Sequence, residues 1–288
     1  MAGSKDAAIV RQRFLELGYR EGGNFLFDLR SAQGDLAMLP KVAADLVAAN
    51  PDLIIAGFGT ATAKAAQAAT KTIPIVFSNV GDPIGSGIVQ SLSRPGANLT
   101  GLAAQAAEIS GKRLELLNQF VPGIHAVAAL EQPDAPFSKV ALPLLQKATR
   151  DSGQQLVVCD ALDGSQVEEK LSGAANAGVG GIVVLETPLL IALRRRIIDV
   201  AAKLRLPAVY SVRDFVDEGG FLCYGPDARQ MYRRAAELAD KILKGENPAQ
   251  IPVEQPTKFS LIINLKAAKA LGVVPSETLL ALADEVIE

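Results

Sequence analysis

Short polar residues stand just past apolar runs throughout this chain, and their types suit holding a small charged molecule better than transforming one. Gly57-Phe58-Gly59-Thr60 follows the apolar run Leu53 to Ala56 and leads into an Ala-rich stretch from Ala61 to Ala69. Thr60 is a good N-cap; its hydroxyl and the N–H groups of Ala61 and Thr62 would offer donors to an anion such as a carboxylate. On local sequence alone an ordinary capped helix accounts for the same residues. Ser78-Asn79-Val80-Gly81-Asp82-Pro83 closes the next apolar run, Ile73 to Phe77. Later, the segments Glu131 to Phe137, Glu186-Thr187 and Ser211-Val212-Arg213-Asp214-Phe215 again follow strand-like runs. Carboxylates there would hold an ammonium group while the Thr60 region holds a carboxylate, a pairing that suits a zwitterion such as an amino acid. Phe137, Phe215 and Tyr224 would add apolar or stacking surface. Loop-solvating polar residues and core aromatics explain any one of these equally well.

Other chemistries find little to use. Gly57-Phe58-Gly59 is only part of a dinucleotide fingerprint. Asp82 sits about where a ribose partner belongs, but Thr62 occupies the third glycine position and would hinder close helix packing. Gly85-Ser86-Gly87 lacks the spacing of a nucleophile elbow. The chain holds one His, His125, and two Cys, Cys159 and Cys223, so a Cys/His metal cluster is excluded and no Ser or Cys has a paired base. Both cysteines lie in apolar strand-like runs and read as buried free thiols. Arg194-Arg195-Arg196 reads as a solvated helix face. A net charge of −2 gives no footprint for nucleic acid or an anionic membrane. No apolar run reaches the length of a membrane span, and MAGSKDAAIV lacks the features of a signal peptide. No metal, no cofactor and no catalysis are expected.

The elements that would position these loops alternate strand and helix. Helices are expected at 7–18, 36–49, 61–69, 85–92, 109–120, 138–152, 165–177, 189–203 and 228–244. Strands are expected at 24–29, 53–56, 73–77, 126–130, 155–159, 181–185, 207–210, 220–224 and 259–264, with loop 211–219 between two of them and two short helices at the end. With 288 residues, two such βα series point to two doubly wound, Rossmann-like α/β lobes. Loops at the carboxyl ends of the strands are where open sheets of this kind bind ligands.

Several phrases resemble one family. Pro74 to Phe77 with Gly81-Asp82-Pro83-Ile84-Gly85, Ser91 to Gly101 (SLSRPGANLTG), Leu206 to Tyr210, Glu218-Gly219-Gly220, Leu243-Lys244-Gly245, Pro252 to Phe259 (PVEQPTKF) and Asn264 to Gly272 (NLKAAKALG) look like the substrate-binding proteins of ABC transporters, in the branch with the type I periplasmic-binding fold. The resemblance runs in order along almost the whole chain. It implies two lobes with a ligand cleft between them, residues 1–102 plus 225–248 and residues 103–224 plus 249–288, closing by hinge motion. It further implies a periplasmic protein that meets a membrane permease and its ATPase, with a small ligand resembling an aromatic amino acid.

The family's ligand loops fall on Thr60, Asn79 to Asp82, Glu131 to Phe137, Glu186-Thr187 and Ser211 to Asp214. On this reading Thr60 and Ala61 take the carboxylate, Asp82, Glu186 or Asp214 the ammonium, and Phe137 or Phe215 the side chain, with Asn79, Glu131, Thr187, Ser211 and Arg213 completing the set. Family members open with a signal sequence and a first strand ahead of the helix that here starts near Ala7. The sequence as given has neither, so the expectation is either a start that lies inside the natural protein or a first lobe that lacks this strand. A nucleotide-using α/β enzyme and the ligand-sensing domain of a regulator are the alternatives; no helix-turn-helix segment supports the second.

Overall fold

The computed structural model describes residues 2–57, 59–105, 107–185 and 187–288. The chain forms two compact units, Met1–Gln105 with Asp227–Thr257 and Ala106–Pro226 with Lys258–Glu288.

The first unit opens with α1 (Ala2–Glu16). A single 3-10 turn then leads into α2 (Leu39–Ala48), where Pro40 supplies a pre-set φ at the helix start. Three parallel strands follow in the order β1 (Ile54–Ala56), β2 (Ile75–Val80) and β3 (Leu99–Ala103), with α3 (Thr60–Ala69) crossing from β1 to β2. Such strands are covered on both faces, hence their continuous apolar runs; Ile75, Val76 and Phe77 are fully buried. Gly101 is required where β3 passes β2, because a Cβ there would stand 2.0 Å from the Phe77 carbonyl oxygen.

Two expectations fail in this unit. Residues 24–29 alternate like a strand, yet form only an isolated bridge, Glu21 to Phe25. Among the described residues β1 pairs with β2 alone, and this stretch does not join its other edge. Its aromatic side chains collapse locally instead. Phe25 lies 4.9 Å from Phe14 and 5.7 Å from Tyr19, while Leu26 is 88% exposed. The helix expected at 85–92 is a series of turns. Asp82 Oδ1 accepts the N–H groups of Ile84 (3.0 Å) and Gly85 (2.8 Å), and Gly87 takes a φ of 72°, which closes a turn rather than propagating a helix.

The second unit carries α4 (Ser110–Phe120), β4 (Ala126–Glu131), α5 (Ser138–Asp151), β5 (Gln155–Asp160), α6 (Gly164–Asn176) and β6 (Gly181–Val184). Next come α7 (Pro188–Ala192), α8 (Arg194–Lys203), β7 (Ala208–Tyr210), α9 (Arg213–Asp217) and β8 (Leu222–Pro226). The single helix expected over 189–203 breaks at Leu193. There Arg194 Nη1 donates to the Ile191 carbonyl (3.1 Å), satisfying a group that the end of α7 leaves open. Part of the loop expected at 211–219 is α9.

The chain then returns to the first unit through α10 (Ala228–Leu243), capped by Asp227 accepting from Arg229 N–H at 2.9 Å. Its buried face, including Met231, Tyr232, Ala235 and Leu238, packs on β2, β3 and α1. Ion pairs rim that contact: Arg13 to Glu237 at 2.7 Å and Arg233 to Glu16 at 2.8 Å. The connector runs beside β3, with Val253 N–H on Leu92 O (2.7 Å) and Glu254 N–H on Gly101 O (3.0 Å).

Finally β9 (Phe259–Asn264), α11 (Leu265–Leu271), α12 (Glu277–Ala281) and β10 (Glu285–Ile287) complete the second unit. Its seven strands run β10-β9-β8-β7-β6-β4-β5, parallel except where β8 meets β9. No pattern in the sequence marks β10, which is three residues long at the sheet's edge. One core spans the sheet and its helices, with Leu117, Val127, Leu145, Val183, Val209 and Ile263 fully buried.

Candidate functional site

In the first unit, the loops after β1 and β2 are tied together. Gly59 N–H donates to Ser78 O at 3.3 Å. Gly59 adopts a φ of 88°, and a Cβ there would come 3.2 Å from the Asn79 carbonyl, so this approach needs glycine. Thr62 Oγ1 donates to the Gly57 and Gly59 carbonyls, which fixes the loop from within. Gly59, not Thr60 as expected, is the N-cap of α3: its positive φ makes the turn into the helix, Thr60 is already the first helical residue, and no side chain caps the start. The intrahelical ladder begins with Ala63 N–H to Gly59 O (3.3 Å), so the N–H groups of Ala61 and Thr62 precede it.

Two hydroxyls lie beside that helix start. Thr60 is 3% exposed and Ser78 is fully buried, and among the described residues neither hydroxyl oxygen has a hydrogen-bond partner. Buried polar groups of this kind are rare and costly. Nothing in the sequence marks Ser78, because it ends an apolar run that any strand could end. Asn79 is half-buried and sits in the left-handed region at φ 60°. Asp82 already uses one carboxylate oxygen to close its own turn.

In the second unit, the chain steps from β4 outward to β5 and comes back past β4 to β6. The winding therefore reverses between β4 and β6, and such a reversal opens a crevice beyond the carboxyl ends of the strands. Gln132, just past β4, and Thr187, just past β6, meet across it. Thr187 Oγ1 donates to Gln132 Oε1 at 2.7 Å and accepts the Leu190 N–H at 3.4 Å, capping α7. Both side chains are buried. Gln132 is a residue that sequence patterns do not single out.

The other expected residues separate into different settings. Glu131 is buried opposite Asp160 in the paired strands β4 and β5. Burial, above all, raises its pKa; the Asp160 carboxyl adds to this and Ser138 works against it. Phe137 packs into the core, and Phe215 is fully buried with its ring stacked 4.4 Å from Tyr210. Arg213 is held by Asp217 (3.1 Å) and Glu285 (2.5 Å). Asp214 and Ser211 are half-buried beyond β7. Tyr224 stacks on Phe259. Glu186 lies outside the described residues. Cys159 and Cys223 are both buried, with burial pushing the Cys159 thiol up to about 11. Among the described residues no group of three or more His, Cys, Asp or Glu is placed to hold a metal ion, and no helix is long and apolar enough to cross a membrane.

Twin α/β units with polar loops at their strand ends define a type I periplasmic-binding-protein-like fold. The profile of the family described as "ABC transporter substrate binding protein" matches residues 9–287. The chain belongs to that family. It is 30% identical over 257 residues to a tyrosine-binding protein of Clostridioides difficile, covering 88% of this chain and 72% of the relative. A solved conserved domain protein of Vibrio cholerae superposes with a TM-score of 0.89 at 29% identity, over 98% of this chain and 95% of that one. The ABC domain from Streptococcus pneumonia, solved in complex with L-Trp, gives a TM-score of 0.89 at 22% identity, over 98% and 94% of the two chains, a likeness of fold.

Proposed function

We propose that this chain is the solute-binding component of an ABC importer and takes an aromatic amino acid. The loops of each unit would hold one end of the ligand, and the units would close on it by hinge motion. Thr60, Ser78 and the N–H groups of Ala61 and Thr62 take the carboxylate. The loops past β4, β6 and β7 take the ammonium group and the side chain, with Asp214 and Glu186 as the anionic candidates. Phe137 and Phe215 shape this region from the core. Membership of the family supports a permease with its ATPase as partners and a periplasmic place of work. It supports binding without catalysis.

The observation that carries this reading is the pair of buried, unpartnered hydroxyls at the uncapped start of α3. A carboxylate that reached these hydroxyls would give them the acceptor they lack, and the field of the helix start favours its negative charge.

Thermal unfolding against L-tyrosine, L-tryptophan, L-phenylalanine, tyramine, sugars and nucleotides tests it. A ligand present at about 100 times its dissociation constant adds roughly 2.7 kcal/mol. A shift with the amino acids and none with tyramine, which lacks the carboxylate, is the expected result. A shift confined to nucleotides sinks the reading in favour of a cofactor site at Gly57 to Thr60. Contraction in small-angle scattering on adding the same amino acid tests closure.

A further inference from the structure

We infer that Gln132, oriented by Thr187, is the residue that selects the ligand's side chain, and that it selects for a hydrogen-bond acceptor. The inference rests on the amino-acid reading above. Its basis is a chain of three groups joined by two hydrogen bonds. The Leu190 N–H points into the Thr187 hydroxyl oxygen. The hydroxyl then has its own proton to give, and gives it to Gln132 Oε1 at 2.7 Å. A glutamine amide has one carbonyl and one NH2 group. With the carbonyl engaged by Thr187, what Gln132 offers a ligand is its N–H donors.

Position supports the assignment as much as orientation does. Gln132 and Thr187 follow the two strands between which the sheet reverses its winding, the place where open α/β sheets hold ligands. Both residues are buried, at 5% and 2% exposure, so a mismatch there is not relieved by bulk water. A site built to hydrogen-bond a polar atom discriminates strongly against analogues that lack it.

Applied to aromatic amino acids, this sorts three side chains. A phenol oxygen accepts as well as donates, and it matches the Gln132 N–H. An indole N–H only donates, and it meets a donor. A benzyl group leaves the amide donors desolvated and unpaired. The protein should therefore favour tyrosine over both tryptophan and phenylalanine.

Titration calorimetry with L-tyrosine, L-tryptophan and L-phenylalanine on the full chain, as wild type and as the Gln132→Leu and Gln132→Glu variants, tests this. The wild type should prefer tyrosine by about 10-fold or more. Gln132→Leu should bring the tyrosine-to-phenylalanine ratio close to one, through weaker tyrosine and stronger phenylalanine binding, and an unchanged thermal unfolding profile without ligand shows separately that the variant folds. Gln132→Glu, nearly the same shape, should raise tryptophan relative to phenylalanine because a carboxylate accepts the indole N–H. Amino acids that bind with a tyrosine-to-phenylalanine ratio near one in the wild type, or with a ratio untouched in both variants, overturn the role of Gln132 and leave the amino-acid reading standing. Failure of all three amino acids to bind the wild type overturns both.

Discussion

Ser78 and Thr60 are where side-chain chemistry departs most from ordinary packing. A hydroxyl left unpaired in a dry interior costs about 1–3 kcal/mol. Ser78→Ala and Thr60→Val should therefore leave stability unchanged or raise it in urea unfolding, while weakening amino-acid binding by roughly 10-fold, the value of one or two hydrogen bonds to a charged group. Weakened binding that tracks a loss of stability would instead mark both as structural residues. Glu131 gives a second prediction at this scale. Its pKa is raised, so the folded state keeps a proton that the unfolded chain has lost. Its contribution is present at and below the ordinary carboxylate range, near about pH 4.3, and is lost as pH rises through the raised value. In thermal unfolding, Glu131→Gln should gain on the wild type as pH rises from about 4 to about 7. Thr60 is legible in the sequence because a strand, two glycines and a helix frame it. Gln132 is not, since an isolated Gln past a strand has no pattern, and its meaning comes from Thr187, far away in the chain. Phe137 and Phe215 show the converse: an aromatic residue after a strand looks the same whether it faces a ligand or a core.

Between elements, close backbone approach decides what a substitution does. A Cβ on Gly225, in β8, would lie 2.0 Å from the Ser211 carbonyl oxygen. Gly225→Ala should cost roughly 1–3 kcal/mol by overpacking, and it should disturb ligand binding because Ser211 begins a site loop. Gly173, within α6, has open space where an added methyl would stand, and Gly173→Ala should add up to about 1 kcal/mol. Denaturant midpoints of the two variants, moving in opposite directions, check both. The elements from β4 to β7 are readable because long helices separate short apolar runs. Residues 24–29 mislead because alternation records a half-buried face, and here that face is met by Phe14 and Tyr19 rather than by a strand. The turns after Asp82 mislead because apolar spacing there competes with two glycines, and the glycines prevail. β10 leaves no trace because three residues at a sheet edge are too few for a period.

Across the molecule, carboxylates held below their ordinary range, Glu16 in the first unit and Glu168 and Asp284 in the second, respond to acid in the sense opposite to the raised Glu131. In the first unit, Arg233 and then Arg13 hold the Glu16 carboxyl down at about 2, fastening α1 to α10. That contribution is present above the ordinary carboxylate range and fades as pH falls toward about 2. Glu16→Gln should accordingly flatten the acid limb of the unfolding curve, and added salt should mimic part of the change. Twofold α/β organisation is visible in the sequence, since the βα rhythm restarts after Pro122. The connectivity has a cost in time. Neither unit is built from one continuous stretch: the first waits for α10 and the connector to residue 257, and the second waits for β9 and β10 at the carboxyl end. On the ribosome, therefore, neither core closes when its first segment emerges: the first is complete only at residue 257 and the second only once β10 has followed. Until then β8 presents a bare edge to its surroundings, an invitation to aggregate that a growing chain usually avoids by folding one domain before the next appears.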